Sequence, residues 1–141
     1  MPREEYVKYK ASDGSELTAF QVTPDTPYKS AVIVIHEIFG ITEFIRNVAR
    51  RLAGLGYLAV APNLYSRRAD VLTEQNIANV MRKFWSLPPE KRTDPNAISE
   101  LMSTLSPTER EIVQELVINR EATEERMVRD IVDTYNYVRS K

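Results

Sequence analysis

A chain of 141 residues, 43% hydrophobic and 28% charged, has the size and make-up of one globular domain able to bury its own core. Its formal net charge of -1, with acidic and basic residues interspersed, leaves no electrostatic footprint for nucleic acid. The lack of cysteine excludes disulfides, thiolate metal sites and a cysteine nucleophile, and Met1–Glu5 is too polar to read as a signal peptide, so the expected compartment is the cytoplasm.

Tyr6–Ala11 alternates polar and apolar residues, and Leu17–Val22 reads as a second strand. Ser12-Asp13-Gly14-Ser15 between them supplies positive-φ turn chemistry, so residues 6–23 are expected to form a hairpin. Thr23–Pro27 holds two prolines and reads as a loop. Ala31–Ile35 is apolar on both faces and β-branched at Val32, Ile33, Val34 and Ile35, the pattern of a strand in the middle of a parallel sheet. It is also the longest apolar run and far too short to span a membrane. Thr42 can cap a helix from Glu43 to about Leu52, with Ile45, Val48, Ala49 and Leu52 on one face and Gly54 and Gly56 at its end. Tyr57–Ala61 is a second short strand, which completes a βαβ unit.

From Ala69 onward the patterning is helical. Thr73 opens a helix to Trp85 with Ile77, Val80, Met81 and Phe84 at helical spacing, closed by Pro88-Pro89. Asp94-Pro95 opens another, with Ile98, Leu101, Met102 and Leu105 as its stripe. Ser106-Pro107-Thr108-Glu109 is a capping-box pattern ahead of Ile112, Val113, Leu116 and Val117. A last helix, Thr123 to Arg139, is expected to turn Val128, Ile131, Val132, Tyr135 and Val138 inward. The fold class is therefore α/β in a single domain. Residues 1–68 form a hairpin and βαβ core, 69–122 a helical excursion, and 123–141 a sheet-packing helix.

In an open parallel sheet, ligands sit outside the carboxyl ends of the strands, which selects the loops His36–Ile41 and Pro62–Arg68. Glu37, just past a buried strand, is expected to be partly desolvated with its pKa raised. The alternative is a solvated carboxylate or one paired with Arg67 or Arg68. His36 is the only histidine; at a strand end it reads as hydrogen-bonded scaffold more readily than as catalyst. No serine stands in a nucleophile elbow: with only Gly14, Gly40, Gly54 and Gly56 in the chain, none has glycines on both sides, Ser12 and Ser15 flank the hairpin turn, and Ser66 has Tyr65 and Arg67 as neighbours. One histidine without cysteine gives no metal spacing, and there is no phosphate-binding glycine loop, so no cofactor is expected. Tyr65, Phe84, Trp85, Tyr135 and Tyr137 read as core or rim packing, and Glu121–Arg129 as a solvated helix face.

Three segments carry a family resemblance. Val32-Ile33-Val34-Ile35-His36-Glu37-Ile38-Phe39-Gly40-Ile41 resembles the first core strand and oxyanion loop of the dienelactone hydrolases (carboxymethylenebutenolidases), a family of α/β hydrolases. Val48–Tyr57 resembles their first helix with its glycine end, and Ala61–Arg67 their Pro-Asp-Leu-Tyr-x-Arg segment, with Asn63 in place of the aspartate. The resemblance covers about residues 15–68 well.

It implies an incomplete α/β-hydrolase-like sheet from the N-terminal part of the family's chain. Glu37 would tune the protonation of a nucleophile, the Ile38 N–H would be one oxyanion-hole donor, and His36 is a weaker catalytic candidate. Arg82 lies near the region where the family carries substrate-binding arginines, without a matching motif. The family's nucleophile, acid and catalytic histidine all fall later in its chain. The resemblance therefore implies hydrolysis of a small ester or lactone only once a downstream half-chain is added, and no activity alone. The other reading is a non-catalytic α/β module. In the family's sheet order Ala31–Ile35 would be left as an open edge, pairing with that half-chain or with a second copy.

Overall fold

The computed structural model describes residues 1–141, with strands β1 (Arg3–Lys10), β2 (Glu16–Thr23), β3 (Ala31–Ile33) and β4 (Leu58–Pro62). They form one sheet in the order β1-β2-β4-β3. β1 and β2 are the expected hairpin, with Tyr6 opposite Phe20, and the turn is closed where Asp13 Oδ1 accepts from the Ser15 N–H at 3.0 Å. Gly14 there has φ +88, a conformation a side chain would strain. β2 runs antiparallel to β4, and β4 parallel to β3. The alternating hairpin thus extends one side of the βαβ unit.

Helix α1 (Glu43–Gly54) joins β3 to β4 and runs two residues past the expected Leu52 end; Gly56, at φ +97, turns the chain out of it. Thr42 caps it, its Oγ1 accepting from the Ile45 N–H at 3.4 Å. Ile45, Ala49 and Ala53 pack against Phe20, Val22, Val34, Ala59 and Ala61 on one face of the sheet. On the hairpin side, Arg46 and Arg50 reach Tyr6 and Glu4 of β1.

β3 departs from its expected form. It ends at Ile33 rather than Ile35, although the Val34 N–H still donates to the Val60 carbonyl at 2.8 Å. Ala31 and Ile35 are exposed, and only Val34 of the run is buried. A strand needs a neighbour on each side to bury both of its faces and its full backbone. β3 has β4 alone, so it is an edge strand.

The excursion contains α2 (Glu74–Trp85), α3 (Pro95–Thr104) and α4 (Pro107–Val113), begun by the side-chain caps Thr73, Asp94 and Ser106. Glu109 completes the Ser106 capping box. These helices have their own core around Ile77, Val80, Met81, Leu105, Ile112 and Val113, which also takes in Tyr65 from the loop after β4. Leu116 and Val117, expected in the helix after Ser106, lie instead in a π-helical turn, Gln114–Ile118, closed by the Asn119 N–H on the Gln114 carbonyl at 2.8 Å.

Helix α5 (Arg120–Arg139) starts three residues before Thr123 and covers the second face of the sheet. Its inward face differs from the expected one. Thr123, Asp130 and Thr134 are buried, whereas Val128, Val132 and Tyr135 are more than half exposed; Ile131 and Val138 are half-buried. The sheet surface it meets is partly polar. Tyr9 Oη and Thr134 Oγ1 lie 2.7 Å apart, Tyr137 donates to Gln21 Oε1 at 3.0 Å, and Arg67 clamps Asp130 with two nitrogens at 2.9 and 3.1 Å. Hydrogen-bonding groups on the sheet select polar partners on the helix, because an unmatched buried polar group costs about 1–3 kcal/mol. No helix is long and apolar enough to cross a membrane.

Candidate active site

The carboxyl ends of β3 and β4 open into a cleft of about 560 Å³, as the crevice rule anticipates. His36, Glu37 and Ile38 line it from the loop after β3, and Leu64 and Tyr65 from the loop after β4. Its roof comes from the helical segment: Met81, Phe84 and Trp85 of α2, Leu116 and Val117 of the π turn, Thr123 and Met127 of α5. The apolar lining with a few convergent polar groups is the usual make-up of a small-molecule site. Phe84 and Trp85, expected only to pack, form part of its wall.

His36 is buried and both ring nitrogens are engaged. Nε2 accepts from the Leu64 N–H at 3.0 Å, so the proton sits on Nδ1, which donates to the Glu37 carbonyl at 2.6 Å. Burial lowers its pKa, only partly offset by the carbonyl contact, and keeps the imidazole neutral. His36 is therefore a scaffold that ties one loop to the other and has no nitrogen free for proton transfer.

Glu37 is exposed, against the expectation of a desolvated carboxylate. Nor does it pair with the arginines of the facing loop. Arg67 holds Asp13 and Asp130, and Arg68 holds Glu111 and Glu115 at 3.2 and 3.3 Å. β3 is an edge strand, so no further strand stands beside the loop that follows it.

Residues Glu37–Gly40 form a turn in which the Gly40 N–H donates to the Glu37 carbonyl at 3.1 Å. The Ile38 carbonyl accepts from Tyr65 Oη at 2.7 Å, and the Ile38 and Phe39 N–H groups have no acceptor within the protein. Tyr65 is buried, which pushes its pKa up to about 12, so its phenol remains a donor at neutral pH. The ring also lies 3.5 Å from the place a Cβ on Gly40 would occupy. Tyr65 was expected to pack. Its position just after β4 is the signal that could have marked it as part of the site.

Ser66 is not available as a nucleophile. Its Oγ donates to the Asn63 carbonyl and accepts from the Thr18 N–H at 3.0 Å. Asn63 closes its own loop, Oδ1 accepting from the Tyr65 N–H at 3.0 Å. Arg82 is exposed and outside the cleft lining, whereas Arg92 contributes to it. The Arg92 guanidinium lies 4.4 Å over the Trp85 ring and donates to the Leu87 and Trp85 carbonyls. Sequence reasoning passed over Arg92, since partners that are backbone carbonyls and a ring face leave no motif. No group of three or more His, Cys, Asp or Glu side chains is gathered closely enough to hold a metal ion.

Comparisons with known proteins agree with the residue-level resemblance. The model of the dienelactone hydrolase family matches residues 17–140. A protein of Saccharolobus solfataricus provisionally named a carboxymethylenebutenolidase is 52% identical over 130 residues, which cover 92% of this chain and 50% of that protein. A protein of Yersinia pestis with the same provisional name is 42% identical over 84 residues, covering 57% of this chain and 31% of that one. A crystal structure of a provisionally named dienelactone hydrolase from Klebsiella pneumoniae aligns with a TM-score of 0.39 and 40% identity, over 46% of this chain and 28% of that one. The chain spans half the length of the Saccharolobus relative and less of the others.

Proposed function

The chain belongs to the dienelactone hydrolase family, and on that premise we propose that it supplies the substrate cleft and one oxyanion-hole donor of an ester- or lactone-hydrolysing site. The nucleophile, acid and catalytic histidine would come from a further polypeptide segment, and the 141 residues alone would be inactive. The observation that carries this reading is the Ile38 N–H. It is unpaired, in a turn fixed on both carbonyls, on the wall of a mostly apolar cleft. When a nucleophile adds to a carbonyl carbon, negative charge develops on the oxygen. A fixed N–H directed at that oxygen stabilises the transition state, and loss of one such donor costs about 10²–10³ in kcat. Glu37, exposed beside it, would stand next to an incoming nucleophile and bias its protonation.

The place of entry follows from the edge. At about 3.6 residues per turn, Phe44 lies on the flank of α1 opposite Arg46 and Arg50, which contact the hairpin. Val128, Val132 and Tyr135 lie on the side of α5 away from Asp133, which accepts from Ser12 at the hairpin turn. Both helices carry exposed apolar side chains, Phe44 on α1 and Val128, Val132 and Tyr135 on α5. The free side of β3 is an unpaired strand edge. A nucleophile-bearing strand would pair there, and the exposed apolar side chains of the two helices would contribute to its docking.

The test is to mix this chain with a separately produced segment matching the remaining half of the Saccharolobus relative and to assay a simple aryl ester. The expected result is no hydrolysis by either part, activity in the complex, and loss of about 10²-fold or more in Ile38→Pro, which lacks the N–H. A verified complex without activity overturns the reading.

The same exposed edge favours a second reading, a non-catalytic module that pairs β3 with the β3 of a second copy. Sedimentation would then show a dimer that binds no completing segment.

A further inference from the structure

Two side chains, His36 and Tyr65, hold the carbonyls of the turn that carries the Ile38 N–H. In a trans peptide the C=O and the following N–H point in opposite directions. The Glu37 carbonyl shares its peptide plane with the Ile38 N–H, and the Ile38 carbonyl shares its plane with the Phe39 N–H. Every peptide bond of the chain is trans. The first carbonyl is held by His36 Nδ1–H at 2.6 Å and the second by Tyr65 Oη at 2.7 Å. The two rings that supply these donors are neighbours, with centroids 4.9 Å apart. Both carbonyls are therefore drawn to the same side, and both unpaired N–H groups leave on the other.

We propose that His36 and Tyr65 are positioning residues that fix the directions of the Ile38 and Phe39 N–H groups, so that the turn Glu37–Gly40 is a preformed cradle for a developing oxyanion. This rests on the catalytic reading above for its purpose, but not for its geometry. Each donor is itself immobilised. His36 is locked from behind by the Leu64 N–H, and Tyr65 by the Asn63 side chain on its own N–H. A hydrogen bond to each carbonyl removes the freedom of the peptide plane to rotate, which is the usual way such a donor is lost. The donors then need no reorganisation when charge appears, which is the condition under which they act best.

The clamp makes a residue-specific assignment that packing alone does not. Residual dipolar couplings of the isotopically labelled full chain report N–H bond directions without substrate or turnover. Tyr65→Phe keeps the ring against Gly40 and deletes only the hydroxyl; it should shift the Phe39 coupling, whose peptide contains the Ile38 carbonyl. His36→Asn should shift the Ile38 coupling. In both variants the couplings of α1 and β4 should stay at wild-type values. Unchanged Ile38 and Phe39 couplings in a folded variant overturn the proposal. If His36→Asn does not fold, Tyr65→Phe alone decides. In the reconstituted enzyme, Tyr65→Phe should lower kcat and leave KM nearly unchanged. Shifted couplings in a complex that shows no turnover would sink the catalytic reading while leaving the clamp intact.

Discussion

The Nε2 atom of His36 accepts a hydrogen bond from the backbone N–H of Leu64, 28 residues further along the chain. This bond exists only while Nε2 carries no proton. Protonation would set two donors against each other in a buried site, and burial already lowers the folded-state pKa below the ordinary value of 6.5. The stabilisation by this bond is therefore fully present above about pH 6.5 and is lost as the pH falls through the lower folded-state value, because the unfolded chain then binds the extra proton. Urea unfolding followed from about pH 7.5 down to about pH 5 should show a falling midpoint in the wild type. The slope should be weaker in His36→Asn, and equal slopes would contradict a neutral, locked imidazole.

Asp130 offers a test of the interface between α5 and the sheet. Its carboxylate is buried and receives two nitrogens of Arg67, whose pKa is raised chiefly by that contact and next by Asp13. Asp130→Ala removes the partner and leaves a largely buried guanidinium holding only Asp13, at a cost of about 2–4 kcal/mol. Asp13 is exposed on the hairpin turn, so Asp13→Ala should cost far less. Comparable denaturation midpoints for the two variants would argue against the buried pair as a determinant of stability.

The contrast between α5 and the other helices shows what the sequence makes legible. Thr42, Thr73, Asp94 and Ser106 were readable as caps because each bonds a backbone N–H two or three residues away. The Asp13-Gly14 turn is equally local. The inward face of α5 is set by Tyr9 on Thr134 and Arg67 on Asp130, contacts spanning 125 and 63 residues. Apolar periodicity pointed instead to Val128, Val132 and Tyr135, which face out. The motif around Glu37 and Ile38 pointed to a loop that lines the cleft. The burial of Glu37 was misjudged because edge position is a property of the whole sheet, and Tyr65 was missed because its bond to Ile38 spans 27 residues.

The exposed stripe of α5 carries its own prediction. Val132 is about half exposed and touches no buried cluster, so Val132→Asp should change the stability of the chain by no more than about 0.5 kcal/mol. The same change places a carboxylate on the exposed apolar face of α5 that we propose takes part in docking. It should abolish binding of a completing segment, or self-association if that is what the edge does. Unimpaired binding by the variant, measured by calorimetry or sedimentation, would move the docking surface elsewhere.

Gly40 and Gly54 should respond in opposite senses to the same substitution. Gly40 has φ +82, and an alanine there enters the left-handed region at a cost of about 1–2 kcal/mol. The added methyl itself meets the Tyr65 ring at an ordinary 3.5 Å, so the penalty lies in the backbone and not in the space. Relief requires rotating the Phe39–Gly40 plane, whose N–H bonds the same Glu37 carbonyl that His36 holds, which couples stability to the direction of the Ile38 N–H. Gly54 closes α1 at a negative φ with nothing near its missing Cβ, so Gly54→Ala should stabilise by about 0.5 kcal/mol through lower chain entropy in the unfolded state. Thermal unfolding of the two variants decides the matter. A Gly40→Ala chain as stable as the wild type would mean that the turn is free to relax, and the cradle around Ile38 would then be less rigid than its hydrogen bonds imply.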